Sequence, residues 1–231
     1  EKITVNGNMD LYAVVFNRTT ETDLTEDQLP QVDIYKYKQV IFVGDSRTEF
    51  MENVLTGMGE SATKNVKFVC SAGKGLDWFT TTGWAQLYSI VQHDSNSILS
   101  KKTAVIFNFG VNDLSKSADY AEYYNWIAPQ LKSKGCELYF MSVNPVNRLM
   151  LPNAGRADRS EAAVRSFNQY MKANLPSAYT YIDMYSYLKS TGYSFASDHY
   201  GTGTVDDGLH YTTRTYKRIF AKCMDSLRVP A

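Results

Sequence analysis

The chain has 231 residues, with 24 Lys+Arg against 24 Asp+Glu, 44% hydrophobic and 13% aromatic residues. That length and apolar content suit one domain, or one domain with an appendage, able to bury roughly 70% of the surface its unfolded form exposes. They exclude disordered and collagen-like sequence. A formal net charge of zero without a basic run argues against a nucleic-acid partner, and no stretch approaches the ~18 consecutive apolar residues of a membrane span.

The chain begins at Glu1, with neither Met nor a charged-then-apolar leader, and reads as a piece of a longer precursor. Two short strand-like runs, Ile3–Val5 and Leu11–Phe16, flank the turn signal Asn6-Gly7, a hairpin pattern. An acidic stretch with Glu21, Asp23, Glu26 and Asp27 follows and ends at Pro30, as a linker or wrapped extension would. Residues 1–35 are therefore set apart from a main domain at 36–231. The segment from Ile3-Thr4-Val5-Asn6-Gly7-Asn8 through Leu11-Tyr12-Ala13-Val14 resembles the closing hairpin of the Listeria–Bacteroides repeat of bacterial surface proteins. That resemblance implies a secreted or cell-surface parent protein.

From Gln39 onward, apolar runs alternate with amphipathic stripes. The runs Val40–Val43, Val66–Val69, Ala104–Phe107, Leu138–Met141 and Tyr179–Ile182 suit strands buried on both faces of a parallel sheet. The first helical stripe is Phe50, Met51, Val54, Leu55 and Met58, and the second Trp84, Leu87, Tyr88 and Val91. The third is Tyr123, Tyr124, Ile127 and Leu131, which Pro129 is expected to kink or cut short. Val164, Phe167 and Met171 follow, opened by a capping-box-like pair, Asp158 and Glu161. Tyr216, Ile219, Phe220, Cys223 and Leu227 form the last. This alternation predicts an α/β fold: a flavodoxin-like doubly wound sheet of about five parallel strands with helices on both faces.

Cys70, Cys136 and Cys223 are too few and too scattered for a disulfide framework or a zinc pattern. Cys70 ends an apolar run and Cys223 lies on a stripe, which predicts buried free thiols; Cys136, between Gly135 and Glu137, is ambiguous. Gly73-Lys74-Gly75 and Gly201-Thr202-Gly203 lack the third glycine and the placement of a dinucleotide fingerprint. No metal or organic cofactor is expected.

The chemistry concentrates where strands end. The first run leads into Gly44-Asp45-Ser46-Arg47-Thr48, which puts Ser46 at a strand-to-helix turn. Its hydroxyl there sits at the carboxyl edge of the sheet and its N–H at a helix N-terminus. A serine hydroxyl needs a base, and the chain has three histidines. His93 falls at a helix end and His199 in a polar loop. His210 stands three residues after Asp207, a spacing that lets one loop supply both base and orienting carboxylate; Asp206 is a rival orienter. After the third run, Asn112 in Gly110-Val111-Asn112-Asp113 can donate to an oxyanion. After the second, Gly73 offers a backbone N–H, with Gly75 as the alternative.

Gly44-Asp45-Ser46, Gly73, Gly110-Val111-Asn112-Asp113 and Asp207-Gly208-Leu209-His210 resemble, in order, the four blocks of the SGNH (GDSL-type) hydrolases, over about residues 39–227. The resemblance implies a serine esterase. Ser46 would be the nucleophile, His210 the general base and then acid, and Asp207 its orienter. Ser46 N–H, Gly73 N–H and the Asn112 amide would form the oxyanion hole. Where a leucine often follows the serine in that family, this chain has Arg47. Arg47 is expected either to read an anionic group on the substrate or to pair with a local acid such as Glu49 or Asp113.

Trp78, Trp84 and Tyr211 lie nearest the catalytic loops among 17 tyrosines and three tryptophans, and can serve a sugar cleft or the core. The expected activity is removal of short acyl groups, chiefly acetyl, from a carbohydrate by an extracellular bacterial enzyme acting as a monomer. An O-acetyltransferase for surface polymers and a non-catalytic surface binding module are the alternatives.

Overall fold

In the computed structural model, which describes residues 23–34, 36–94, 101–151 and 159–227, each of the five apolar runs lies in a strand. These are β1 (Tyr37–Gly44), β2 (Val66–Cys70), β3 (Lys102–Asn108), β4 (Cys136–Met141) and β5 (Tyr179–Ile182), all parallel, in the order β2-β1-β3-β4-β5. The runs are continuous rather than alternating because both faces of the sheet are covered. Ile41, Val43, Val105, Phe107, Leu138 and Phe140 point into one core; Val40, Phe42, Ala104, Ile106, Tyr139 and Met141 point into the other.

The first core is closed by α3 (Trp84–Asp94), α4 (Ser117–Ser133) and α5 (Glu161–Asn174), and the second by α1 (Ser46–Met58), α6 (Met184–Thr191) and α7 (Thr213–Ser226). A short α2 (Leu76–Trp78) passes through a π turn at Phe79–Gly83 into α3. The doubly wound α/β architecture predicted from the alternation is the one observed. The chain leaves β1 toward β2 and then crosses back to β3 on the other side, so the carboxyl ends of β1 and β3 are where the strand order reverses. Open α/β sheets bind ligands at that crevice.

Three local expectations are corrected. Pro129 does not cut α4 short, and the helix runs on to Ser133; Pro129 and Asn125, whose carbonyl loses its usual partner, are both exposed, so water can satisfy that carbonyl. The cap of α5 is Ser160, whose Oγ accepts from the N–H of Ala163 at 3.1 Å, while Asp158 lies outside the described residues. Cys70 is half-buried rather than buried, whereas Cys136 and Cys223 are buried, and all three are free thiols.

The hairpin pattern at residues 3–16 also falls outside the described residues. From Asp23 the acidic stretch is wrapped on the α1/α7 face. Leu29 and Val32 are buried in that core, Asp23 pairs with Lys217 at 3.0 Å, and Glu26 accepts from Ser61. Among the described residues, no helix is long and apolar enough to cross a membrane, and no group of three His, Cys, Asp or Glu gathers as a metal site would require.

Candidate active site

β1 reaches the crevice at Gly44, paired in register with Cys70 on one side and Asn108 on the other. A side chain at Gly44 would collide with the Thr48 hydroxyl and the Asn108 carbonyl, so the strand can turn at once into α1 only because a glycine stands there. Asp45 caps that helix, accepting from the Arg47 N–H at 3.0 Å. Burial raises the Asp45 carboxyl to about 6, against the pull of the nearby Arg47 charge. Ser46 is thereby the first residue of α1, and its N–H is among those that a helix leaves unbonded at its start.

The loop before α7 carries the other two groups. Gly208 has φ +72°, and a Cβ there would strike the Asn147 carbonyl. This left-handed residue turns the chain so that Asp207 faces back on its own loop. Asp207 Oδ1 accepts from the N–H groups of Leu209 (2.9 Å) and His210 (2.8 Å), and Oδ2 lies 2.6 Å from His210 Nδ1. Burial opposes its ionisation, but the bonds from His210 and the main chain outweigh burial and hold the carboxyl below its ordinary value. A carboxylate only accepts, so Nδ1 carries the imidazole proton and Nε2 is left bare. Nε2 lies 2.8 Å from Ser46 Oγ, placed to take the hydroxyl proton. Asp206 is turned away, accepting from Asn147 Nδ2 at 2.8 Å and Gly208 N–H at 2.6 Å.

Arg47 does not face a substrate, and its partners are not carboxylates. It is 2% exposed. Nε donates to the Leu209 carbonyl at 3.0 Å, and Nη1 and Nη2 to the Asn144 and Pro145 carbonyls, each at 2.9 Å. Its guanidinium also lies over the Tyr211 ring, 5.2 Å from the centroid. Both sequence expectations for Arg47 are therefore corrected. It is an internal clamp joining the turn after Ser46, the loop after β4 and the residue before His210.

On the other side of the crevice, the loops after β2 and β3 are tied together. Asn112 Nδ2 donates to the Lys74 carbonyl at 2.7 Å, and the Leu76 N–H donates to Asp113 Oδ2 at 2.8 Å. The loop of Gly73 is held toward Ser46 by Ser71 N–H on the Gly44 carbonyl (3.3 Å) and Ala72 N–H on Glu49 (2.7 Å). A Cβ at Gly75 would run into the Asp113 carboxylate, whereas nothing lies within 4 Å of one at Gly73. The approach to Gly73 is thus the open one. These loops line a cleft of ≈ 1060 Å³ whose walls include Gly73, Trp78, Asn112 and Arg159. Of the three aromatics singled out, only Trp78 is on that wall. Tyr211 is fully buried, its hydroxyl on the Pro145 carbonyl, and Trp84 packs against Tyr88 and Trp126.

Two residues at the site carry no sequence signal of their role. Phe50 looks like one more apolar position on the α1 stripe, yet its ring stacks on His210 with centroids 4.2 Å apart. Arg159 lies 47 positions from Asn112 and bonds its side-chain oxygen.

A profile of the family "GDSL-like Lipase/Acylhydrolase" matches residues 40–223. The chain therefore belongs to that family and is an acylhydrolase of the SGNH type. No curated protein sequence matches it. Several solved structures share its fold. An SGNH hydrolase from Slackia heliotrinireducens is 13% identical with a TM-score of 0.59, covering 83% of this chain and 100% of that one. An acylhydrolase from Bacteroides fragilis is 17% identical with a TM-score of 0.53, covering 87% and 93%. An acetyl xylan esterase is 13% identical with a TM-score of 0.51, covering 83% and 100%.

Proposed function

We propose that this protein is a serine esterase that removes short acyl groups, chiefly acetyl, from a carbohydrate, using Ser46, His210 and Asp207. The observation that carries the reading is the relay from Ser46 Oγ through His210 to Asp207, at 2.8 and 2.6 Å. Ser46 Oγ attacks the ester carbonyl carbon as its proton passes to Nε2, and the imidazolium is stabilised by Asp207, which keeps its charge. The carbonyl oxygen, now an oxyanion, is met by the N–H groups of Ser46 and Gly73 and the amide of Asn112, each such donor contributing on the order of 10²–10³ in rate. His210 then protonates the departing sugar oxygen. Water, activated by the same base, releases the acyl group from Ser46.

The cleft wall that sets Trp78 beside Asp77, Asn112 and Lys116 supports a sugar as the alcohol part of the ester, and an acetyl xylan esterase among the structures of like fold supports acetyl as the acyl part. Action outside the cell is proposed from the resemblance at residues 3–14. The test is acetate release from a panel of O-acetylated polysaccharides, with Ser46→Ala as the blank. Transfer to an acceptor sugar at a far higher rate than to water would make the protein an acetyltransferase. Inertness of the folded protein on 4-nitrophenyl acetate as well would remove the catalytic reading.

A further inference from the structure

Asn112 is held by its oxygen as well as by its nitrogen. Arg159 Nη2 donates to Asn112 Oδ1 at 2.7 Å, and Nε of the same guanidinium donates to the Val111 carbonyl at 2.7 Å. The fork thus grips two consecutive residues of the loop after β3. Its own backbone is fixed by the start of α5, since Arg159 immediately precedes the cap Ser160.

A carboxamide has two faces of opposite sense, and a rotation of 180° exchanges them. A guanidinium has donors only and a main-chain carbonyl is an acceptor only. With Arg159 on one side and the Lys74 carbonyl on the other, the reversed amide would meet a donor with its NH₂ and an acceptor with its oxygen. One sense alone is allowed. The Lys74 carbonyl takes one N–H of the amide, and the second remains for an incoming oxygen. A cationic partner on Oδ1 also draws charge from the amide and sharpens its N–H as a donor.

We propose that Arg159 is the positioning residue of the oxyanion hole: it fixes the sense of the Asn112 amide and strengthens its N–H, without touching the reacting atoms. This rests on the reading of Asn112 as an oxyanion donor. A donor with a fixed sense costs no reorganisation when charge develops, so Arg159 acts on the chemical step rather than on binding.

The experiment is a double-mutant cycle on 4-nitrophenyl acetate with Arg159→Met, Asn112→Ala and the pair, beside wild type and Ser46→Ala. Asn112→Ala should lower kcat about 100-fold. Arg159→Met should lower kcat about 10-fold with KM within about twofold, and in the Asn112→Ala background should lower it no further. An Arg159→Met loss that persists undiminished in that background, or one confined to KM, overturns the proposal. A second readout needs no turnover. The side-chain ¹⁵N–H₂ signal of Asn112, assigned by its disappearance in Asn112→Ala, should shift and exchange faster in Arg159→Met; an unchanged signal also overturns it. Wild type inert on the ester would overturn the esterase reading, while the amide signal still decides whether Arg159 fixes Asn112.

Discussion

Arg47 and Leu209 are joined by a hydrogen bond of 3.0 Å, from the residue after the candidate nucleophile to the residue before the candidate base. The two chain segments are 162 positions apart, and the other two arms of the guanidinium fasten both to the loop after β4. Five donors in a planar fork can serve three carbonyls at once, which a lysine ammonium cannot do in the same geometry.

Arg47→Leu should therefore leave the buried Leu209 and Asn144 carbonyls without their donor, the Pro145 carbonyl keeping the Tyr211 hydroxyl, and lower stability by about 2–3 kcal/mol. Arg47→Lys should also destabilise, though less, and lower kcat by loosening the His210 loop. Because Arg47 does not reach the cleft, both variants should lose activity on neutral and acidic esters in the same proportion. Urea midpoints and rates on a matched ester pair check this. A loss confined to acidic esters would return Arg47 to substrate recognition.

Asp207 has two tasks that one substitution can separate. Oδ1 holds the loop through two main-chain N–H groups, and Oδ2 holds the imidazole. An asparagine can keep its oxygen on the main chain, but its NH₂ then faces Nδ1 and favours the tautomer with the proton on Nε2, which cannot accept from Ser46. Asp207→Asn should keep its fold and lose about 10⁴ in kcat, by analogy with triads of this kind. Asp207→Ala should lose stability as well, having no oxygen for the loop. Equal melting temperatures for the two variants would count against this division of labour.

The sheet was legible because burying both faces demands uninterrupted apolar runs, as Val40–Val43 and Ala104–Phe107 display. Asp207 and His210 were legible because they share a four-residue turn. Arg47 was misread because its partners are main-chain carbonyls, which every residue has and no sequence pattern marks. Arg159 was invisible for a related reason: its acceptors, Val111 and Asn112, are reached only through the packing of α5. Helix α6 escaped because only Met184 and Leu188 of its eight residues are buried, too few to set a period. Pro129 does not mark the end of α4 because an exposed helix face can give its freed carbonyl to water.

Asp45 and Asp207 should pull stability in opposite directions in separate pH windows. Asp45 titrates at about 6 when folded against an ordinary 3.8, so between those values the folded state holds the extra proton. Its contribution is fully present below about pH 4 and is lost as pH rises through 6, by on the order of 2–3 kcal/mol at most. Asp207 is held below its ordinary value, so its contribution is present above about pH 4 and lost as pH falls through the folded value. Asp45→Asn keeps a helix cap without the titration. The stability of wild type relative to Asp45→Asn, from urea melts at pH 4, 5, 6 and 7, should fall across the series; a flat difference would show that Asp45 stays charged throughout.

Phe50 lies between two imidazoles, 4.2 Å from His210 at 26° and 4.4 Å from His199 at 31°. It is 4% exposed, so its ring both shields His210 from water and presents a π face to it. In the proposed mechanism His210 takes the Ser46 proton and is then a cation over that face, an interaction of about 1–2 kcal/mol in a desolvated site. Phe50→Leu keeps an apolar side chain there but removes the π face. It should lower kcat about 5–10-fold with little change in KM and cost about 1 kcal/mol of stability. His199 touches only the far side of the ring and is exposed, so His199→Ala should leave kcat within about twofold. A Phe50→Leu enzyme with unaltered kcat would mean that the ring only fills space, and that Asp207 alone stabilises the imidazolium.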